Sequence, residues 1–336
     1  MHQASEFLFE GKIPAEFSIV ESDVTSVKIP IPYYALLSRV SYLSLETTEV
    51  VNHFKGSVIE LDQSIWFECN GQPLKSHLPI GVLYDFFCKE ISLPWRIVIH
   101  FRQFPGNKLI RSSTVNDTEK LFSHSLKQSV FLLSGNTRLF TSLSIQKQTD
   151  LHQSVSTVDC QLYKDVMEEV LSGVTSSSTR SLPVAIVVSD GRPVIQRPVS
   201  VFSEVEKPSM STVIEQAPDT LCIDEEMTEV NNGGDKNTAE ELEATITSSG
   251  HDIRSTEQIE DMSLNMDSIR IDTGSNNRFT TLQDVITDAF RDSDVRLDDI
   301  KDVLIQGIPL PREASIFEIW ERFCHLDLFL YIVVHI

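Results

Sequence analysis

Paired cysteines are missing from this chain. Cys69, Cys88, Cys160, Cys222 and Cys324 are odd in number, scattered, and never spaced as C-x-x-C. That argues against a disulfide framework or a zinc site and fits reduced thiols. Cys69 falls in a strand pattern and Cys88 in a helical one, where a thiol packs as a small apolar group. No cysteine has the electropositive neighbours that make a nucleophile, so a cysteine-dependent enzyme is the weaker alternative. The nine histidines form no H-E-x-x-H or H-x-x-E-H motif, and no phosphate-binding loop is present. Basic residues are scarce: 28 Lys and Arg face 49 Asp and Glu, a net charge of −21. Such a balance argues against a nucleic-acid binder, which needs clustered cations. No apolar run approaches the roughly 20 residues that span a bilayer as a helix. Met1 to Glu6 lack the positive start and apolar stretch of a secretory leader, so the expected location is cytoplasmic. A non-catalytic protein without cofactor or metal is the expectation.

A second absence is local. Residues 204–277 contain no Phe, Trp or Tyr, and hold 18 acidic against 4 basic residues. That composition cannot bury enough apolar area to offset the entropy of ordering, so it predicts a disordered acidic insertion.

Around the insertion, patterned segments dominate. Ser64 to Glu68 alternates as a strand, Asn70-Gly71 is a hairpin turn, and Gln72 to Lys75 begins the return strand. Ile80, Leu83, Tyr84 and Phe87 then recur at helical spacing behind Pro79, and Trp95 to Phe101 alternates again. Hairpin, helix and strand in that order form the back half of a ubiquitin-like β-grasp. Upstream, the pattern predicts a strand from Phe17, a partner over Val27–Pro32, strand-like alternation over Ser41–Leu45, and a helix over Thr47–Phe54. From Thr114 to Ser172 the period is helical, with Leu121, Phe122, Ser125 and Leu126 on one face and Gly135 as a stop. Further helices are predicted over Leu139–Val155 and Leu162–Leu171. Pro183 to Val188 and Val194 to Val201 flank Asp190-Gly191 as a second hairpin. Its β-grasp resumes after the insertion, with helices over Thr281–Phe290 and Ile316–Phe323 and strands from Val303 and Phe329. The fold expected is α+β, two ubiquitin-like β-grasp domains flanking a helix-rich region. The boundaries are a helical element over 1–14, a first ubiquitin-like domain over 15–104, the helix-rich region over 105–179, and a second ubiquitin-like domain over 180–336. Trp66, Trp95 and Trp320 lie in elements with regular apolar faces and read as core.

The wording of several segments resembles the autophagy protein 5 family over essentially the whole chain. The matching words include Glu10-Gly11-Lys12-Ile13-Pro14, Arg39-Val40-Ser41-Tyr42-Leu43, Pro73-Leu74-Lys75, Pro79 to Asp85, Ser125-Leu126-Lys127 and Ile305-Gln306-Gly307-Ile308. The long acidic insertion is similar to that of plant members. Phe9, Ser76 and His152 stand where the family commonly has Trp.

The resemblance implies an autophagy scaffold joined through Lys127 to the ubiquitin-like autophagy protein 12 by an isopeptide bond. On the residues alone an ordinary surface lysine looks the same, and Lys120, nearly on the same helical face, competes. The resemblance further implies that a helix of autophagy protein 16 occupies a groove, and that the conjugate acts as an E3-like factor. It would promote passage of autophagy protein 8 from autophagy protein 3 to phosphatidylethanolamine, with transient membrane association. Phe7, Phe9, Ile13 and Pro14 are the groove candidates, with core packing as their alternative reading. A ubiquitin-fold interaction module outside autophagy shares the fold without needing Lys127.

Overall fold

The computed structural model describes residues 2–25, 28–58, 65–88, 93–111, 114–172, 174, 178–204 and 277–336. The predicted insertion lies outside them, save for its two end residues. Helix α1 (His2–Glu10) leads into β1 (Lys12–Ile19), β2 (Tyr33–Ser38), α2 (Leu43–Glu46), α3 (Thr48–Lys55), β3 (Trp66–Cys69), β4 (Gln72–Pro73), α4 (Ile80–Phe87) and β5 (Trp95–His100). The first sheet has the order β2-β1-β5-β3-β4, with β1 and β5 parallel at its centre. Helices α5 (Val115–Ser134), α6 (Arg138–Thr141), α7 (Ile145–Thr157) and α8 (Cys160–Val170) follow. Then come β6 (Leu182–Val188), β7 (Ile195–Val199), β8 (Phe202–Glu204), β9 (Asn277–Phe279), α9 (Leu282–Phe290), β10 (Asp302–Ile305), β11 (Ile308–Pro309), α10 (Ile316–Phe323) and β12 (Leu330–His335). The second sheet runs β11-β10-β12-β6-β7, again with its first and last strands parallel in the middle. Both sheets thus carry the β-grasp topology, on either side of a helical region.

Local chemistry accounts for the element ends. Thr114 caps α5, its Oγ1 accepting from the Asp117 N–H at 3.1 Å, and Gly135 ends that helix at φ +80°. Thr281 and Asp284 form a reciprocal capping box on α9. Asn70-Gly71 and Gly307 turn their hairpins with positive φ.

Four expectations are corrected. The first strand begins at Lys12, not Phe17, so Ile13 and Pro14 lie in the sheet. Its partner is Tyr33–Ser38 rather than the expected Val27–Pro32, of which Val27 lies outside the described residues; Pro30 and Pro32 lack the N–H that a ladder needs. Ser41–Leu45 is no strand but the approach to α2, where Leu43 is buried and its carbonyl accepts from Thr47 Oγ1 at 2.5 Å. A short apolar run does not separate the two periods. The helix read over Leu139–Val155 is broken into α6 and α7, because Ser144 caps a new start through the Lys147 N–H at 3.2 Å.

The core of the first sheet gathers Phe17, Phe54, Leu74, Ile80, Trp95, Ile97 and Ile99. Strands β6 and β12 are buried along their whole length. Val184, Ile186, Leu330, Ile332 and Val334 join a core with the helices, whereas Ala185, Val187, Phe329, Tyr331 and Val333 join the core of the first sheet. Alternate residues of the same two strands therefore serve two cores, which explains their continuous apolar spelling. A polar latch ties the same halves together. Arg39 pairs with buried Asp85 at 2.6 Å, and His335 Nε2–H donates to the Asp85 carbonyl at 2.9 Å. A Cβ on Gly307 would meet Arg39 at 3.0 Å and the Asp85 carboxylate at 3.1 Å.

Candidate partner groove and acceptor lysine

Helix α1 is amphipathic, and its inward residues open onto a cavity of about 370 Å³. Leu8 and Phe9 form one wall, Tyr163, Met167 and Leu171 of α8 and the turn after it a second, and Cys324, Leu326 and Leu328 behind α10 the third. Phe9 is buried, with its ring 5.7 Å from that of Tyr163. The Tyr163 hydroxyl donates to the Leu326 carbonyl at 2.8 Å, so α8 is fixed to the chain leading into β12. Charged groups ring the opening: Lys164, paired with Glu6 at 2.5 Å, and Glu168, Glu321 and Arg322. An apolar trough between helices with a charged rim has the chemistry of a helix-binding groove.

Beside the groove lies a buried polar cluster. Asp327 accepts from the Phe329 N–H at 3.1 Å and from the Tyr331 hydroxyl at 2.9 Å. Burial outweighs these bonds and lifts its carboxyl to about 6, and burial pushes neighbouring His325 down to about 3. The Cys324 and Cys88 thiols are raised to about 12 by burial, and Cys69 and Cys160 are raised for the same first reason. Thiols so displaced are poor sources of thiolate at neutral pH. Cys222 lies outside the described residues. Among the described residues no group of three or more His, Cys, Asp or Glu side chains is arranged to hold a metal ion.

Lys127 stands on α5, one step round from fully buried Leu126, on a helix whose inner face is Phe122, Leu126, Val130 and Leu133. It is half-buried, and Lys120, seven residues earlier, is exposed. The Lys127 ammonium lies 5.5 Å from the centre of the Phe140 ring.

The four groove candidates part company. Phe9 lines the cavity; Phe7, on the same helix, is 73% exposed. Ile13 is buried in the core of the first sheet, and Pro14 pairs with Leu36 on β1 and β2. The α8 wall was within reach of the sequence, since Tyr163, Val166, Met167 and Val170 recur at helical spacing and all are buried. The segment behind α10 had no such periodic signal. Trp66, Trp95 and Trp320 are all buried. His152 hydrogen-bonds Ser123 at 2.7 Å and meets the Phe122 ring edge-on, joining α7 to α5 with a polar contact.

Comparison with known proteins follows this layout. Three family profiles match in succession: "Autophagy protein ATG5, UblA domain" over residues 8–101, its "alpha-helical bundle region" over 115–173, and its "UblB domain" over 181–334. Autophagy protein 5 of Arabidopsis thaliana is 34% identical over 171 residues, 51% of this chain and 51% of the relative. Autophagy protein 5 of Drosophila melanogaster is 40% identical over 120 residues, 35% of this chain and 43% of the relative. The chain thus spans about half the length of the curated relatives it matches. The crystal structure of Kluyveromyces marxianus Atg5 superposes with a TM-score of 0.68 at 19% identity, covering 99% of this chain and 100% of that one, a likeness of fold.

Proposed function

The chain belongs to the autophagy protein 5 family, and from that premise we propose that it is a non-catalytic scaffold of autophagosome formation. Lys127 is the acceptor for the C-terminal glycine of autophagy protein 12. The groove between α1, α8 and the segment behind α10 takes an amphipathic helix of autophagy protein 16. The assembled conjugate then promotes transfer of autophagy protein 8 from autophagy protein 3 to phosphatidylethanolamine. The reactive thioester belongs to another protein, and this chain contributes proximity and orientation.

The observation that carries this reading is the groove. Three separate elements turn apolar side chains toward one trough and leave charges at its rim. A folded protein gains by covering such a surface, and a helix of complementary polarity fits it. No described helix is long and apolar enough to cross a membrane, so contact with the growing autophagosome is by association.

Lys127→Arg tests the acceptor. Arginine keeps the charge and the helix propensity but stays protonated and forms no isopeptide. Denaturing gels of the variant expressed in its native cells should lose the reductant-resistant heavier band, and lipidation of autophagy protein 8 should stop. Capture of the helical partner should persist. Lys120→Arg should change neither. A conjugate that survives in Lys127→Arg and vanishes in Lys120→Arg moves the acceptor to Lys120. Full lipidation in Lys127→Arg favours an interaction module that needs no conjugation.

A further inference from the structure

Two lysines share nearly one face of α5, and their surroundings differ. Lys120 projects into solvent. The chain beyond α5 is folded back beneath Lys127. Gly135, at φ +80°, breaks the helix, and Asn136 Oδ1 accepts from the Arg138 N–H at 3.0 Å in the turn that leads into α6. That return seats Phe140 in the helical core with 3% of its surface exposed, and the Lys127 Nζ lies 5.5 Å from the centre of its ring. Among the described residues the other cation–ring contacts belong to arginines, Arg111 over Phe104 and Arg192 over Phe290. A cation is held over an aromatic face by the ring quadrupole, and an immobile ring holds it at a fixed place.

We propose that Phe140 is a positioning residue for conjugation, selecting Lys127 over Lys120 by holding its terminal amine at one point on the α5 surface. The inference rests on the acceptor reading given above. In the transfer step the Lys127 ammonium first gives one proton to solvent. The neutral amine attacks the thioester carbonyl joining the modifier's C-terminal glycine to a carrier cysteine. The new N–C bond forms, the C–S bond breaks, and the departing thiolate takes the second proton. A free lysine searches its rotamers before such an attack; one resting on a fixed ring starts from a narrow set. Phe140 touches neither the thioester nor the modifier in this scheme and acts through Lys127.

The experiment uses the full chain and the carrier thioester of the ubiquitin-like modifier in single-turnover transfer, with peptide mapping of the product. Phe140→Leu keeps an apolar core residue and removes the ring. Its maximal rate constant should fall by about two- to fivefold, the scale of an exposed cation–ring contact. The half-saturating concentration should stay the same, and a measurable share of product should move to Lys120. Phe140→Tyr, which keeps the ring face, should restore both rate and site. Lysine-labelled NMR of the unmutated chain gives a readout independent of variant folding. The Lys127 ε-methylene protons should be shifted upfield by the ring current, and those of Lys120 should not. Unshifted Lys127 resonances overturn the proposal, as does a folded Phe140→Leu chain with unchanged rate and site. Conjugation persisting in Lys127→Arg would instead overturn the acceptor reading on which it rests.

Discussion

At the scale of single residues, Asp327 makes stability depend on pH. Its carboxyl titrates near 6 in the folded chain against an ordinary 3.8, because burial outweighs the bonds from Tyr331 and Phe329. Between those values the folded state keeps a proton that the unfolded chain has lost. The contribution is therefore full below about pH 4 and is lost as pH rises through about 6. His325, held near 3 by burial, works the other way, losing its contribution as pH falls from its ordinary 6.5. Comparing Asp327→Asn with the parent cancels the histidine. The unfolding free energy of the variant relative to the parent should rise with pH, by on the order of 2 kcal/mol between about pH 4 and about pH 7. Urea titrations at the two pH values measure it, and a pH-independent difference would count against a carboxyl that ionises while buried. Neither residue announced this role in the sequence. His325 and Asp327 read as ordinary polar residues in the run-up to a strand; in the fold His325 lies against the Tyr42 and Tyr331 rings, and the Tyr163 hydroxyl closes on the Leu326 carbonyl between the two residues.

At the scale of elements, α1 and β1 are neighbours in sequence with separate tasks. Phe9 reaches the groove and the Tyr163 ring, and Ile13 is sealed in the core of the first sheet. Ile13→Ala should cost roughly 2–4 kcal/mol of stability, as large-to-small changes in a packed core do, with partner capture unchanged below the melting temperature. Phe9→Ala should weaken capture of the helical partner by tenfold or more, about the loss of one central aromatic anchor. Isothermal titration and thermal melts on the two variants separate these effects. Equal loss of capture in both would mean that β1 also builds the groove. The elements most legible in the sequence were those with two agreeing signals. For α4 these were Pro79 at its start and an apolar period, for α5 an apolar period and a Gly stop, and for the two hairpins strand patterns with Asn-Gly and Asp-Gly turns. The partner strand of β1 was misplaced because Tyr34 and Leu36 are large, apolar and exposed, so its alternation lacks the polar outer face that marks a half-buried strand. Lys127 was singled out as the proposed acceptor only through resemblance, and its contact with Phe140 depends on a fold-back that spacing does not encode.

At the scale of the molecule, the two β-grasp sheets do not stand as independent beads. Strands β6 and β12 give one face to each core, and the Arg39–Asp85 pair with the Gly307 turn closes the same seam. Charge removed from one side of such a buried pair leaves the other uncompensated, a loss of about 3–5 kcal/mol. Asp85→Ala should therefore lower the melting temperature of the entire fold in a single calorimetric transition. Two separated transitions would show that the halves melt apart.

The short ribbon of β8 and β9 carries a different consequence. Glu204 and Asn277 are register partners, and the Phe202 and Phe279 rings pack at a tilt with centres 4.9 Å apart. The chain thus leaves and re-enters through one doorway, whose two posts are already bonded to each other. For a flexible loop, each doubling in length between fixed ends adds only about 0.6 kcal/mol of closure entropy. Replacing residues 205–276 by Asn-Gly, the turn that a two-stranded ribbon accepts, should leave the unfolding transition almost where it was; a shift of several kcal/mol would show packing against the fold. On the first outcome, length at this point is close to neutral for stability, and selection on the rest of the molecule leaves it nearly free to drift. Relatives that keep the doorway can differ greatly in size without differing in architecture.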